Sequence, residues 1–279
     1  MNLVRRRALG DVVLLGAVTA ALGGVTVVTE PRYVPIAARL RGVARAVPLG
    51  TAVDGPTIDL QRDLVTLRAF PWARRVRKHS VIRRLRMAGV KVARPPVAES
   101  YARACGVAPV APPWIDVDGA ARDDLALIPG ASVRLKRARA DLLIEIGRRW
   151  RGKVWVAGGP GDADLVRAVA ERVPRAVELV EDGFDRTVEA FAACRVAIGG
   201  DNGLLHLAIA CGARGVVVLG PTHEDDGFWP YAAACVGLDL ACRPCALHRI
   251  DRCWLGHERC LGVDVEEVWR EVATWAGSS

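Results

Sequence analysis

Short apolar runs alternate with longer amphipathic stretches along the second half of the chain. The runs are rich in Val, Ile and Leu and have the length of strands; they lie at 125–130, 153–159, 176–181, 196–201 and 215–220. Apolar residues recur at helical spacing between them, over 137–150, 162–173, 185–194 and 203–211. Because buried strands that alternate with helices form parallel sheets, this half is predicted to be an α/β unit.

The first hundred residues show the same alternation with shorter elements. Strands are predicted at 2–6, 25–30, 46–49 and 58–61, and helices at 12–22, 34–41 and around 98–105. The basic start and the uncharged run over 12–28 are also typical of a signal peptide or a membrane anchor. That run has 17 residues, three of them Gly, which is short for a bilayer crossing. The sequence therefore favours the strand, turn and helix interpretation.

Prolines separate the two halves. Pro109, Pro112 and Pro113 disfavour both helix and strand, so a linker is predicted there. We predict an amino-terminal lobe over 1–113, a second lobe over 114–263 and a carboxyl-terminal helix over 264–279 that crosses back to the first lobe. Two α/β lobes joined in this way enclose a cleft, where a ligand is expected to bind.

The stretch GGDNGLLHLAIACG at 199–212 places polar groups at the start of an apolar helix. It lies between two predicted strands, so its helix begins at the carboxyl end of a strand, where parallel sheets bind ligands. The first helical amides would attract a phosphate there, flanked by Asp201 and His206. The alternative is that Asp201 or Asn202 only caps the helix and that His206 is a structural residue.

Positive charge is concentrated in one segment. Residues 61–94 carry eleven Lys or Arg and one acid, Asp63, so this segment is +10 in a chain of net charge +8. Such a block forms a solvated face or attracts an anionic partner. The candidate partners are nucleic acid, a membrane surface, and a phosphorylated or carboxylated substrate.

Four of the eight cysteines are clustered near the end of the chain. Cys242, Cys245, Cys253 and Cys260 have the spacing C-x2-C-x7-C-x6-C, within a loop predicted over 242–260. Four neighbouring thiolates repel one another unless a cation neutralises them, so we predict a structural zinc site. His248 and His257 are alternative ligands, an iron–sulfur cluster is an alternative occupant, and reduced thiols that only pack in a loop are the alternative to any metal.

Several of these motifs, in this order, resemble glycosyltransferase family 9, the ADP-heptose:lipopolysaccharide heptosyltransferases. The similar stretches are ALGDVVL near the start, IDLQ, RRLR, IPGAS followed by Lys136, GGP, DNGLLHLA with VVLGPT, and the final CRPC pattern. The resemblance implies an α/β fold in the GT-B arrangement, in which two Rossmann-like lobes enclose the active site.

The same resemblance implies the chemistry of an inverting glycosyltransferase. Asp11 would be the general base that takes the proton of the acceptor hydroxyl. Asp201 would hold a sugar hydroxyl and cap its helix, and Asp162 would contact the ribose. Transfer would require no metal cofactor. The donor diphosphate would be held by Ser132, Lys136, Asn202, Gly203, Leu204 and His206.

The partners implied are a nucleotide-sugar donor, such as ADP-heptose, and an anionic glycolipid acceptor of the lipopolysaccharide-core type. The protein would be cytoplasmic and would associate peripherally with the inner membrane through the 61–94 basic segment. A zinc-knuckle protein that binds nucleic acid is disfavoured, because only Phe70 and Trp72 interrupt that segment as aromatics. A family member that binds nucleotide without catalysis is disfavoured by the presence of Asp11, Asp201 and His206 together.

Overall fold

The computed structural model describes residues 1–77, 81–82, 85, 90, 92, 94–117, 122–180, 183–245 and 251–276. Within these ranges the strands form two separate parallel sheets. The first has the order β3-β2-β1-β4-β5 and the second β11-β10-β9-β6-β7-β8. The first sheet contains β1 (Asn2–Val4), β2 (Val25–Thr29), β3 (Val43–Pro48), β4 (Thr57–Asp59) and β5 (Arg74–Arg75). The second contains β6 (Asp124–Ile128), β7 (Val154–Ala157), β8 (Ala176–Leu179), β9 (Cys194–Gly199), β10 (Arg214–Val218) and β11 (Ala234–Val236).

Helices connect the strands of each sheet. The first lobe has α1 (Leu9–Val13), α2 (Gly16–Leu22), α3 (Val34–Arg39), α4 (Leu64–Ala69) and α5 (Val97–Cys105). The second has α6 (Ala140–Arg149), α7 (Ala163–Ala170), α8 (Gly183–Ala192), α9 (Gly203–Ala210) and α10 (Val265–Ala273). Both sheets reverse their strand order beside the first strand of their lobe, and such reversals open a ligand crevice at the carboxyl ends of the strands.

The single helix predicted over 12–22 is two helices in the structure. The chain turns between α1 and α2, and Gly16 begins α2 directly against the fully buried Trp114. A Cβ on Gly16 would lie 2.5 Å from the Trp114 side chain. Packing of the linker tryptophan on the first lobe therefore determines this break, and a helical repeat in the sequence does not reveal it.

The two lobes meet where α1 and α9 begin. A Cβ on Gly10 would lie 2.5 Å from Cδ2 of His206, and a Cβ on Gly203 would lie 2.8 Å from Cβ of Leu9. Only glycine permits so close an approach of the two helices. This glycine contact forms the floor of the cleft between the lobes.

A second connection joins the lobes at the rim of the cleft. Arg94 N donates to the Asp225 carbonyl at 3.0 Å, and Val97 N donates to the Gly227 carbonyl at 2.8 Å. These bonds hold the chain just before α5 against a loop of the second lobe. Side chains from that stretch and from the loop are thus brought to the same side of the cleft as α1.

The carboxyl-terminal helix differs from its prediction. Helix α10 packs against α6, β10 and β11, and Arg149 pairs with Glu266 across this contact at 2.6 Å. Its buried Val268 and Val272 belong to the apolar core of the second lobe. The described part of the tail therefore stays on the second lobe instead of crossing back, because its apolar stripe completes that sheet's covering layer.

Within the described ranges, none of the helices combines the length and the hydropathy that a bilayer crossing requires. The uncharged run over 12–28, which could have indicated an anchor, is divided between α1, α2 and β2. Of the basic segment, Lys78, Arg83, Arg84, Arg86 and Lys91 lie outside the described residues, as do three residues of the RRLR motif.

Candidate functional site

A cleft of about 730 Å³ lies between the lobes at the carboxyl ends of both sheets. Residues from α1, the loop after β6, the turn after β7, α8 and the start of α9 line it. All the residues predicted to bind donor or to catalyse transfer border this cleft: Asp11, Ser132, Lys136, Asp162, Asp201, Asn202, Gly203, Leu204 and His206. The fold thus gathers side chains that are up to 195 positions apart in the sequence.

The start of α9 has the form of an anion-binding site. Asn202 is the cap, since its side chain accepts a hydrogen bond from Leu205 N at 2.9 Å. Gly203 and Leu204 follow as the first helical residues and line the cleft. The amides in the first turn of a helix have no carbonyl acceptor within that helix. The amides of Gly203 and Leu204 are therefore available to an anion, which the positive end of the helix dipole also attracts.

Asp201 does not cap this helix, contrary to prediction. Its carboxylate instead accepts a hydrogen bond from Lys136 Nζ at 2.6 Å, in an ion pair whose side chains are 12% and 8% exposed. The backbone makes this pairing possible, because a Cβ on Gly200 would lie 1.8 Å from the Lys136 carbonyl. Lys136 ends a short 3-10 helix (Arg134–Lys136) after β6, beside the exposed Ser132.

Asp11 lies in the first turn of α1 and is held by three groups. Arg5 forms an ion pair with it at 2.6 Å, the Tyr101 hydroxyl donates to it at 3.4 Å, and Ala8 N donates to it at 3.3 Å. Burial favours the neutral carboxyl, but Arg5 and these hydrogen bonds outweigh it and hold the pKa of Asp11 below its usual value. The carboxylate is therefore ionised at neutral pH and faces the cleft.

His206 lies on the floor of the cleft between the two carboxylates. Its ring stacks on Trp229, with centroids 3.8 Å apart and planes inclined by 4°. Burial lowers the pKa of His206 to about 4, against the opposing influence of Asp201 and Asp11. A neutral imidazole in this position can donate or accept one hydrogen bond toward the cleft without adding charge.

One end of the cleft is lined by Asp162 and by mostly apolar residues. Asp162 accepts from Gly159 N at 3.3 Å and pairs with Arg137 at 3.2 Å. Further along, the wall consists of Tyr33, Pro160, Leu179, Phe184 and Thr187. The sequence contained no motif for this wall, since its members come from separate elements of both lobes, among them β8 and α8.

Three other residues act on Asp11, of which the sequence analysis included only Arg94, as a member of the 61–94 basic segment. These are Arg5, Tyr101 and Arg94, whose guanidinium lies 5.1 Å above the Phe228 ring. Burial lowers the pKa of Arg94, while Asp11 and Asp226 oppose that effect. Two guanidinium groups, of Arg5 and Arg94, thus lie on this side of the cleft near the carboxylates of Asp11 and Asp226.

The cysteine-rich loop packs against the second lobe, next to the 3-10 helix that ends at Lys136. Arg243 donates to the Thr222 carbonyl at 2.7 Å, and Arg134 pairs with Glu258. Cys242 Sγ is 3.9 Å from His257 Nε2, and the cysteines of the chain are free thiols. Among the described residues no group of three or more His, Cys, Asp or Glu is arranged to hold a metal ion, and His248 lies outside them.

No protein-family model and no curated protein matches the sequence. Solved structures do resemble the fold. The glycosyl transferase family 9 protein from Veillonella parvula is 15% identical, with a TM-score of 0.73 over 99% of this chain and 96% of that one. E. coli ADP-heptose lps heptosyltransferase II is 17% identical, with a TM-score of 0.70 over 99% and 98%.

A third similar structure is the dodecameric iron-containing heptosyltransferase TibC of enterotoxigenic E. coli, in complex with ADP-D-beta-D-heptose. It is 13% identical, with a TM-score of 0.63 over 99% of this chain and 76% of that one. The two lobes, their parallel sheets and the cleft between them confirm the predicted α/β fold in the GT-B arrangement, which this chain shares with the glycosyltransferase family 9 and heptosyltransferase structures.

Proposed function

We propose that the protein is an inverting glycosyltransferase that moves a heptose or a similar sugar from a nucleotide diphosphate sugar to a hydroxyl of an anionic glycolipid. ADP-heptose is the proposed donor, and a lipopolysaccharide-core-type molecule is the proposed acceptor. The observation that carries the proposal is the position of Asp11, which faces Lys136 and the start of α9 across one cleft. A general base and an anion-binding site opposed in this way are what transfer from a diphosphate sugar needs.

The donor fits the second lobe in extended form. Its diphosphate would lie against Lys136, Ser132 and the first amides of α9, with His206 as a neutral hydrogen-bond partner. The ribose would approach Asp162, and the base would lie on the apolar wall that contains Leu179 and Phe184. Two of the similar structures carry ADP-heptose in their names, which supports this choice of nucleotide.

The reaction would be a single displacement. The acceptor oxygen attacks the anomeric carbon as the bond from that carbon to the diphosphate oxygen breaks on the opposite face, so the configuration inverts. Asp11 takes the acceptor proton late, when the forming bond has made the hydroxyl acidic; a carboxylate of low pKa then suffices. Lys136 and the helix end stabilise the charge that develops on the departing diphosphate, so the proposed transfer uses no metal.

The acceptor would bind on the side of the cleft that carries Asp11 and Arg94. Arg94 would pair with a carboxylate or phosphate of an inner-core glycolipid while its hydroxyl reaches Asp11. The protein would then work in the cytoplasm, at the inner-membrane surface, with the 61–94 segment attracted to anionic lipid.

One experiment tests the transferase directly. The protein is incubated with a panel of nucleotide sugars and a water-soluble core oligosaccharide, and release of nucleoside diphosphate is followed together with the anomeric configuration of the product by NMR. We expect ADP release with inversion, unchanged by a metal chelator. If none of the nucleotide sugars bound, the proposal would be overturned. Binding without turnover would identify a non-catalytic nucleotide-binding protein.

For the cysteine-rich loop we keep the proposal of a structural zinc site at Cys242, Cys245, Cys253 and Cys260. The support is chemical: four thiols and His257 occur on one loop, and one similar structure is described as iron-containing. Protein purified without chelator should carry about one metal ion per chain, as a filled tetrahedral site requires. Cys245→Ser should lose the metal and thermal stability together, whereas Cys105→Ser, at an isolated half-buried thiol, should retain both. A metal-free protein of equal stability would show that these thiols only pack.

A further inference from the structure

Large apolar side chains are exposed mainly along one stretch of the first lobe. In the described ranges these are Leu64, Val65, Leu67, Trp72, Val81, Leu85 and Val90. Leu64 is 72% exposed and Trp72 is 69% exposed, and exposed apolar side chains grouped along one stretch are typical of an interaction site. We call Leu64, Val65, Leu67 and Trp72 the α4 ridge.

The α4 ridge is held firmly from below. Asp63 caps α4 by accepting from Val65 N and Thr66 N at 3.1 and 3.0 Å. On the inner face, the buried Thr66 hydroxyl donates to Asp59 at 2.8 Å. Phe70 then anchors the end of the helix in the core, and the Trp72 ring meets it edge-on at 6.2 Å. The apolar side chains are therefore displayed on a fixed scaffold.

Arginines flank this ridge in the sequence. Arg68, Arg74 and Arg77 are exposed, and none of these three pairs with a carboxylate of the described residues. The one acid of the segment, Asp63, is engaged by Arg6 at 2.9 Å. An apolar surface with a tryptophan and a border of arginine complements an anionic bilayer, where the ring lies at headgroup depth and the guanidinium groups meet phosphates.

The ridge also lies close to the acceptor side of the cleft. Arg6, which binds Asp63, belongs to the same loop as Arg7, whose N donates to Gln61 at 3.2 Å, and that loop leads into α1 and Asp11. A glycolipid anchored in the bilayer beside α4 would thus present its sugars toward Asp11.

We propose that the α4 ridge inserts into the interfacial region of an anionic membrane and orients the cleft toward glycolipids in that surface. The insertion goes beyond electrostatic attraction, and its link to the acceptor rests on the proposed function. The distinction is measurable, because salt screens attraction between exposed charges but leaves apolar burial intact.

The test is sedimentation of the full chain with vesicles of phosphatidylcholine and phosphatidylglycerol, or of phosphatidylcholine alone, without donor or acceptor. Salt is raised from about 0.1 M to about 1 M, which shortens the screening length from roughly 10 Å to roughly 3 Å. We expect binding to the anionic vesicles that salt weakens without abolishing. The Leu64→Ser, Trp72→Ala double variant should lower the partition coefficient by about tenfold or more at both salt concentrations, since apolar burial is lost.

Matched variants make the result specific. Trp254→Ala removes an equally exposed tryptophan, at 68%, from the second lobe and should leave partitioning unchanged. Arg68→Gln with Arg77→Gln should reduce binding at low salt only. As a second measurement, brominated acyl chains should quench wild-type tryptophan fluorescence more strongly than that of Trp72→Phe.

Two outcomes would overturn the insertion. In the first, high salt abolishes vesicle binding, and the double variant binds as strongly as the wild type. In the second, brominated lipid quenches the fluorescence of Trp72→Phe as strongly as that of the wild type. Transfer to a water-soluble acceptor without any vesicle binding would refute the insertion and leave the proposed function standing. Vesicle binding by a protein that releases no nucleoside diphosphate would refute the proposed function and leave the insertion standing.

Discussion

Each lobe brings one partly buried ion pair to the cleft, and the two pairs differ in what the cation can do. Arg5 pairs with Asp11 in the first lobe and Lys136 pairs with Asp201 in the second, both at 2.6 Å. Arg5 has a second hydrogen-bond partner, because its guanidinium also donates to the Leu60 carbonyl at 2.8 Å. Among the described residues, Asp201 is the hydrogen-bond partner of Lys136 Nζ.

This difference suggests a division of labour between the pairs. A guanidinium fixed by several bonds keeps its carboxylate ionised, whereas a lysine on a flexible stem can turn from its carboxylate toward a diphosphate. The first pair would thus be a permanent part of the acceptor side, and the second would be rearranged by the donor. Four substitutions can break or sharpen this comparison.

The largest effect is expected from Asp11→Asn. Loss of the general base should lower kcat by roughly 100-fold or more, while the amide keeps the shape of the site and leaves donor affinity unchanged. Steady-state kinetics with calorimetry of ADP binding separates the two quantities. If affinity falls in proportion to rate, Asp11 is a structural residue and not a base.

Lys136→Ala should weaken both binding and turnover. The lost charge stabilises the diphosphate in the bound donor and more strongly in the transition state, so ADP affinity should fall by about tenfold and kcat/KM by about 100-fold. The same assays apply, and Lys153→Ala is the control, at a lysine whose amine lies over Trp155, outside the cleft. Unchanged ADP affinity would remove Lys136 from the diphosphate site.

Arg5→Met should change the pH dependence of the reaction. With Arg5 present, the pKa of Asp11 is below its usual value, so the carboxylate is ionised throughout the neutral range. Activity should therefore be lost only as pH falls through that low pKa. Without Arg5, burial dominates and should raise this pKa above its usual value. The acid limb of kcat/KM should then move to higher pH than in the wild type.

The matched control for that profile is Arg7→Met, since Arg7 lies on the same loop and makes no ion pair within the described residues. A uniform loss of activity at every pH in Arg5→Met would mean that Arg5 acts on folding or on the acceptor instead of on Asp11.

The smallest effect is expected from Asp201→Asn. Removing this carboxylate releases Lys136 and takes away a negative charge beside the diphosphate, so ADP should bind a few-fold more tightly. The free protein should lose stability, because Lys136 becomes a buried unpaired charge, and ADP should restore much of the loss. Thermal unfolding with and without ADP checks both; weaker ADP binding would contradict an exchange of partners.

The gathering of the predicted residues at one cleft could be predicted because they follow strands. Asp201, Asn202 and the loop before Lys136 come directly after apolar runs, and parallel strands bring their carboxyl ends to one edge. The partners of those residues could not be predicted. Arg5, Tyr101 and Arg94 reach Asp11 only through tertiary packing, and the pairing of Asp201 with Lys136 displaced the capping role expected from its position.

Element boundaries show a similar limit. Helix α1 begins before Asp11, at Leu9, after a cap residue, Ala8, whose side chain makes no hydrogen bond and gives no signal. By contrast, α4 was missed although Asp63 and Thr66 have the spacing of a reciprocal cap. This spacing is visible in the sequence. The interpretation of 61–94 nevertheless rested on its basic charge, which indicated a solvated face or an anionic partner and no particular helix.

The glycine contact between α1 and α9 also constrains how the lobes can move. If the lobes rotate while Gly10 and Gly203 stay in contact, this point is a fulcrum, and displacement grows with distance from it. The base and the diphosphate site, next to the fulcrum, would keep their spacing. Away from this contact, Arg39 of α3 pairs with Asp185 of α8 at 2.6 Å, so such a rotation would change the distance within an exposed ion pair that joins the two lobes. The attraction within that pair would oppose the rotation, and salt would weaken the opposition by screening it.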